Sequence, residues 1–148
     1  PEKVGLEFRH ELAQLQIIGK TDQGVTATIH DASFYDIAVK GTLEQDSGES
    51  SWKPAAVVGK ADTPFQKKIE RVLKPVSQLS LFDKMLLIPQ DCMKIKLAVN
   101  YTRNGENLTE TIDFYDLISY LSVGQNYRIE LTIGADTITY RASIINKW

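Results

Sequence analysis

The chain of 148 residues is long enough for one domain with a hydrophobic core, and its hydrophobic content of 43% is ordinary for a globular protein. Its formal net charge is -2, with Lys and Arg spread evenly, so there is no electrostatic footprint for binding nucleic acid. No apolar run approaches the ~20 residues that a membrane-spanning helix needs.

The first forty residues predict two or three strands. Two sets of mostly apolar residues fall in opposite phases of a two-residue period. One set is Leu6, Phe8, His10 and Leu12, and the other is Leu15 and Ile17. The change of phase predicts a bulge or bend near Ala13, within a strand over residues 6–17. After a turn at residues 21–24, a second strand is predicted from Val25 and a less regular third from Phe34.

The middle of the chain changes character. Residues 41–63 are rich in Gly and Ser and predict a loop that carries Trp52, whose ring would either pin the loop to the sandwich or stack on a sugar. Residues 64–73 predict one short amphipathic helix, because Thr63 and Pro64 fit a helix start and apolar residues recur at helical spacing.

The C-terminal part carries the clearest strand pattern. Apolar residues alternate with polar ones from Met93 to Tyr101, from Tyr127 to Ile133 and from Ile138 to Ile144. Asn104-Gly105 predicts a tight hairpin turn, and residues 134–136 predict a second.

Shorter runs predict an irregular strand at residues 76–81, a buried strand at residues 86–88 and a strand from Leu108 to Phe114. The whole chain therefore predicts an all-β, antiparallel β-sandwich of about seven to eight strands with one short helix.

Groups with catalytic potential are sparse. His10 and His30 lie in or at the end of strand patterns without a second ligand at metal-binding spacing, and a structural role is expected for His10 and a turn for His30. The single Cys92 predicts a small semi-buried residue rather than a reactive thiol. Asp83 and Asp91 lack the dense spacing of a calcium loop. We expect no enzyme activity, no catalytic residue, no metal and no cofactor.

Several segments, in order, resemble the fimbrillin-like proteins of Bacteroidales, which are subunits and tip proteins of surface pili. The segments are Phe8-Arg9-His10-Glu11-Leu12-Ala13-Gln14-Leu15, Leu86-Leu87-Ile88-Pro89-Gln90, Ile95-x-Leu97-x-Val99-x-Tyr101, Gly124-Gln125-Asn126-Tyr127-Arg128-Ile129-Glu130-Leu131 and Ile144-Ile145-Asn146-Lys147-Trp148. The resemblance implies a transthyretin-like β-sandwich and a single domain over residues 1–148, similar to the second of the two domains usual in the family.

The resemblance also implies a function, in which a non-catalytic surface subunit assembles by β-strand exchange with other pilus or surface subunits. It implies export to the cell surface or outer membrane, with any signal or lipid anchor lost from a chain that begins at Pro1. The expected partner or edge-strand residues are Leu6, Phe8, His10, Leu12, Ile138, Tyr140 and Ile144. Both terminal strands could instead pair only within their own sandwich. The alternative function is an extracellular carbohydrate-binding module that stacks glycans on Trp52, Tyr35 and Tyr115.

Overall fold

The computed structural model describes residues 11–46, 49–58, 65–75 and 77–147. Over these residues the chain forms strands and one turn of 3-10 helix. The strands are β1 (Ala13–Thr21), β2 (Ala27–Tyr35), β3 (Ile37–Asp46), β4 (Glu49–Val58), β5 (Phe65–Leu73), β6 (Leu79–Leu87), β7 (Gln90–Asp91), β8 (Lys96–Arg103), β9 (Glu106–Asp113), β10 (Tyr120–Leu121), β11 (Gln125–Ile133) and β12 (Ile138–Lys147), and the 3-10 turn is Phe114–Asp116.

Two four-stranded sheets face each other. Sheet A has the strand order β12-β11-β1-β6, and sheet B has the order β5-β2-β8-β9. A β3–β4 hairpin and a short β7–β10 pair accompany them. Strand pairing is antiparallel except between β1 and β11, which run parallel. The predicted all-β sandwich is therefore confirmed, although the described residues form more strands than expected and one pair departs from the antiparallel expectation.

The core lies between the inward faces of the two sheets. Alternate residues of β1 and β11, such as Leu15, Ile17 and Ile129, are fully buried. The Phe34 ring of sheet B lies 5.1 Å from the Phe82 ring of sheet A, and burial of such apolar area is the main stabilising contribution to a sandwich. At Gly19 the sheets approach so closely that a Cβ would lie 3.3 Å from Ile29 Cδ1, which explains a glycine inside a central strand.

The predicted helix at residues 64–73 is wrong, because Phe65–Leu73 is strand β5, paired with β2. The register of the β2–β5 pair shifts between Ile29 and Asp31 of β2, so that β5 has one extra residue there. The bulge includes Glu70, whose φ is 47°. Ile69 packs against the core and Leu73 is buried, while Val72 is exposed. Apolar residues four apart fit one face of a helix and, because the spacing is even, one face of a strand as well, and pairing with β2 decides between them.

The predicted loop at residues 41–63 is also wrong over its described part. Ile37–Asp46 and Glu49–Val58 pair as the β3–β4 hairpin, with Leu43 opposite Trp52. Gly and Ser lower strand propensity, but cross-strand pairing overrides a preference of this size.

The bulge or bend predicted near Ala13 is a bend at Leu12, directly before β1, which alternates regularly from Ala13 to Ile17. A further irregularity, in β6, was not expected. The register of the β1–β6 pair shifts in this strand, where Lys84 has a φ of 49°. That bulge also joins the two runs predicted at residues 76–81 and 86–88 into one strand from Leu79 to Leu87.

Three side chains depart from the expected pattern near β2 and β8. His30 lies inside β2 rather than at a turn, because β2 continues to Tyr35. Met93 is exposed in a turn before β8, whereas Ile95 is buried. Phe114 is buried, but in the 3-10 turn that ends β9.

The C-terminal hairpins agree with the sequence. Asn104 and Gly105 have φ values of 52° and 76°, as a two-residue hairpin turn between β8 and β9 requires. Gly134 N–H donates to the Thr137 carbonyl at 2.7 Å and closes the β11–β12 turn. Both predicted turns are confirmed.

Candidate functional site

Strand β12 is at one edge of sheet A. Among the described residues it pairs only with β11, so one row of its backbone groups has no partner strand there. Its inward residues, including Ile138 and Tyr140, are half-buried against the core. Burial raises the pKa of the Tyr140 phenol above its usual value, with smaller contributions from Glu110 and Tyr101. An unpaired edge of this kind is a template for another strand.

The edge changes character near its C-terminal end. The β11–β12 register shifts where Asn126 faces Asn146 and Tyr127 faces Ile144, which leaves Ile145 as an extra residue in β12. Ile144 keeps the inward phase of Ile138 and Tyr140 but is 60% exposed, and the extra Ile145 is 41% exposed. Two adjacent isoleucines are therefore exposed at the same end of the edge strand.

A groove of about 560 Å³ lies beside this end of β12. Its lining residues come from the segment after the 3-10 turn, from β11 and from β12: Leu117, Ile118, Ser119, Tyr120, Ser122, Tyr127, Ala142, Ser143 and Ile144. The Tyr127 hydroxyl accepts a hydrogen bond from Ser122 N–H at 2.8 Å and donates one to the Tyr120 carbonyl at 3.2 Å. These bonds hold the wall of the groove against sheet A.

Exposed apolar side chains surround the groove. Tyr120 is 52% exposed and Val123 is 49% exposed, close in sequence to the groove wall. Together with Ile144 and Ile145 they form what we call the edge patch, defined as Tyr120, Val123, Ile144 and Ile145. Tyr120 and Ile144 line the groove itself, and exposed apolar side chains beside a groove mark a candidate interaction site.

The predicted partner residues of the N-terminal strand have different positions. Leu6, Phe8 and His10 lie outside the described residues. Leu12 lies just before β1, and its carbonyl accepts a hydrogen bond from Gly124 N–H at 2.9 Å. Strand β1 is central, between β11 and β6, so its described part is not an edge. The role of all seven predicted residues in partner binding stays a prediction.

The three aromatic residues proposed to stack on glycans are on different elements. Tyr35 ends β2, Trp52 is in β4, and Tyr115 is in the 3-10 turn. Trp52 Nε1 donates to the Glu11 carbonyl at 2.5 Å, which holds the β3–β4 hairpin to the residues before β1. Tyr115 is the most exposed of them, with 48% of its surface accessible.

Sequence reasoning missed the role of Gln90. Its buried side chain accepts from Ala38 N–H at 2.9 Å and donates to the carbonyls of Ala38 and Ile88 at 3.0 Å each. The amide thereby ties the start of β3 to β7. The signal in the sequence was a glutamine directly after a buried run that ends in Pro89. Its partner Ala38 is distant in the chain and could not be identified from the sequence.

A second missed feature is a ladder of polar side chains on sheet B. Within it, His30 Nδ1 lies 2.9 Å from Glu70 Oε2, and His30 Nε2 lies 2.6 Å from Thr102 Oγ1. Asn100 donates to Asp31 at 2.7 Å, and both residues line a shallow cleft of about 370 Å³. These cross-strand bonds account for His30 as a structural residue of the sheet.

The groups considered for chemistry are not arranged for it. Cys92 is fully buried, and burial with the nearby Asp91 charge raises its pKa to about 12, so the nucleophilic thiolate is suppressed. Asp91 Oδ1 accepts from Met93 N–H at 2.7 Å and therefore stabilises a turn. Within the described ranges, His, Cys, Asp and Glu form no group that could hold a metal ion. The same ranges include no helix long and apolar enough to cross a membrane.

Comparisons with solved structures show the same fold at low sequence identity. A provisionally assigned cell adhesion protein of Bacteroides ovatus superposes with a TM-score of 0.59 at 17% identity, covering 93% of this chain and 45% of that one. A provisionally assigned cell adhesion protein of Parabacteroides distasonis gives 0.56 at 14% identity, covering 90% and 51%. A third such protein, of Bacteroides uniformis, gives 0.52 at 14% identity, covering 98% and 54%. The chain thus spans about half the length of these structural relatives.

Sequence comparison agrees with the fold. No curated protein matches the chain in sequence. The family model described as fimbrillin-like matches residues 1–148, which is the whole sequence. The match includes the segments on which the resemblance was based, and the chain belongs to the fimbrillin-like family.

Proposed function

We propose that this protein is a non-catalytic pilus or adhesion subunit of the cell surface that joins partner subunits by β-strand exchange. Membership of the fimbrillin-like family and the adhesion-type structural relatives support the role of a surface subunit. The observation that carries the mechanism is the β12 edge with an apolar groove beside its exposed end.

The edge and the groove supply two complementary parts of strand recognition. A strand from a partner adds to β12 through backbone hydrogen bonds, which contribute affinity with little dependence on sequence. Side chains on one face of that strand enter the groove between Tyr120 and Ile144, and this contact contributes selectivity. Because alternate residues of a strand point the same way, an incoming segment with apolar residues at every second position fits.

The exposed isoleucines support this use of the edge. Edge strands of soluble proteins are usually protected by charges, proline or a short length. Here β12 has ten residues, and the large apolar side chains of Ile144 and Ile145 are exposed near its C-terminal end. A partner strand covering this end removes both apolar side chains from water, each contributing on the order of 1–2 kcal/mol.

The experiment is multi-angle light scattering on the purified chain, with and without synthetic peptides that copy residues 6–17 and 137–146. We expect concentration-dependent assembly of the chain, or saturable capture of a peptide. The variant Ile144→Asp should abolish that capture, because it puts a charge in the groove at a position that is already exposed. Val72→Asp is the matched control, since Val72 is 56% exposed on β5, an edge strand of sheet B.

The outcomes separate the two functions expected from the sequence. Loss of capture in Ile144→Asp with normal capture in Val72→Asp supports strand exchange at β12. A chain that stays monomeric at all concentrations and binds neither peptide refutes strand exchange. In that case the carbohydrate-binding alternative is tested by glycan binding to a Tyr115→Ala variant.

A further inference from the structure

The outward face of sheet A carries a cluster of cations. Lys20 on β1, Arg128 on β11 and Arg141 on β12 surround Glu130 of β11, and we call these four residues the basic cluster. Lys20 Nζ lies 3.1 Å from Glu130 Oε2, and Arg128 Nε lies 3.6 Å from Glu130 Oε1. Arg141 is directly opposite Glu130 in the β11–β12 register.

The cluster has more positive than negative charge. Three cations share one carboxylate, in a chain whose formal net charge is -2. The hydrogen bond from Lys20, with the charges of Lys20, Arg128 and Arg141, holds the pKa of Glu130 below its usual value, so that carboxylate stays ionised. Arg141 is exposed and, within the described part of the chain, forms neither a hydrogen bond nor an ion pair. A guanidinium in this state is available to an anion in solution.

The sheet holds these cations at fixed spacing. Arg128 faces Gln16 and Ser143, Glu130 faces Arg141, and Lys20 faces Thr132 in three successive rows of the β-ladder. Adjacent strands are about 4.8 Å apart and successive rows about 6.7 Å apart. The Cα atoms of the three cations therefore lie at fixed positions on the sheet, far enough apart for the side chains to reach several negatively charged groups rather than one.

The neighbours of the cluster are mostly polar and not aromatic. The outward positions around it on β1, β11 and β12 are Gln14, Gln16, Asn126, Thr132, Thr139 and Ser143, and the exposed Leu86 of β6 is opposite Gln14. The apolar Ile18 is on the same face but is only 6% exposed. The core of a protein–protein interface is enriched in aromatic residues, Met and Arg and depleted in Ser. Of the enriched types only Arg is present here, and the surrounding hydroxyl and amide groups can both donate to and accept from the hydroxyls of a sugar chain. This composition favours a saccharide over an acidic protein.

We propose that the basic cluster is a binding site for an acidic polysaccharide, whose carboxylate or sulfate groups pair with Arg141, Arg128 and Lys20. The planar guanidinium of Arg141 binds one such group through two parallel N–H···O bonds. Lys20 binds a neighbouring group as a point charge, and the surrounding amides and hydroxyls hydrogen-bond the sugar. The site shares Ser143 with the groove but none of the four residues of the edge patch, and it does not require strand exchange.

The test is binding of the whole chain to four immobilised polymers: dextran, dextran sulfate, hyaluronan and poly-L-glutamate. Dextran and dextran sulfate share a backbone, so their difference isolates the anionic group. Hyaluronan distinguishes a carboxylate from a sulfate as the recognised group. We expect saturable binding to dextran sulfate, hyaluronan or both, none to dextran, and weakening with added salt.

Three variants locate the site. Arg141→Gln should weaken binding on the order of tenfold, because it removes charge-assisted hydrogen bonds without removing a partner from the fold. Glu130→Gln should tighten binding several-fold, since it removes the competing carboxylate. Arg71→Gln is the matched control, because Arg71 is exposed on the edge strand β5 of the other sheet.

Two results would overturn the proposal. One is equal binding by the Arg141→Gln and Arg71→Gln variants, which would show attraction without a site at the cluster. The other is tighter binding to poly-L-glutamate than to either acidic polysaccharide, which would identify an acidic protein as the partner. Neither result depends on the light-scattering experiment, so failure of strand exchange and failure of this site are distinguishable.

Discussion

Replacement of Gln90 by methionine tests whether one buried amide holds the β3–β4 hairpin to the sandwich. Methionine has a similar shape and volume but neither the amide donor nor the amide acceptor. The change therefore removes three hydrogen bonds, to Ala38 N–H and to the carbonyls of Ala38 and Ile88, with little change in packing. Gln90 is buried, so water does not readily replace the lost partners.

The expected loss of stability follows from those three bonds. A neutral intramolecular hydrogen bond contributes about 1 kcal/mol net, and an orphaned buried partner costs at least as much. The free energy of unfolding of Gln90→Met should therefore fall by roughly 3 kcal/mol. For a chain of this size that corresponds to a Tm lower by about 6–12 °C.

Urea denaturation followed by tryptophan fluorescence measures the difference from the shift in midpoint. Gln66→Leu is the control, because Gln66 is exposed on β5, and its stability should remain within about 0.5 kcal/mol of wild type. A loss below 1 kcal/mol in Gln90→Met would refute the reasoning, since it would mean that the backbone groups find other partners.

Two further predictions test the core and the thiol. Leu131→Asp should leave no folded population by circular dichroism, because Leu131 is fully buried and an aspartate there has no partner. Lys96→Asp should fold with a loss of stability below about 1 kcal/mol, since Lys96 is exposed and its ion pair with Asp113 spans 4.0 Å. The reverse order of stabilities would show that the assigned strand faces are wrong. Burial raises the pKa of Cys92 from 9.0 to about 12, so its contribution to stability is fully present below pH 9 and is lost as pH rises from 9 towards 12. In urea titrations the free energy of unfolding of Cys92→Ala should therefore fall less with pH over that window than that of the wild type. Equal slopes of unfolding free energy against pH would contradict this.

The parts of the fold that were predictable are those fixed by neighbouring residues. Asn104-Gly105 specifies its own turn, and the alternation from Tyr127 to Ile133 specifies a strand with one buried face. Local sequence was insufficient to predict secondary structure where pairing with a strand distant in the chain determines it. The apolar spacing of Phe65–Leu73 became a bulged strand because β2 is available to pair with it.

The candidate site was predictable only in part. Alternation placed Ile138 and Tyr140 in the last strand, and the structure places that strand at an edge of sheet A. The bulge at Ile145 depends on the β11–β12 register and leaves no mark in the residue pattern. The amide of Gln90 and the rows of the basic cluster likewise depend on strands that are far apart in sequence.

The parallel pairing of β1 with β11 has a consequence for the order of folding. These two strands come from opposite ends of the described chain, and β1 is central in sheet A. During synthesis or translocation from the N-terminus, β1 can meet β6 early but must wait for β11 until nearly all the chain has emerged. Long-range pairings of this kind slow folding. Until then one edge of β1 has no partner strand, so sheet A is completed late, when β11 of the β11–β12 hairpin pairs with β1.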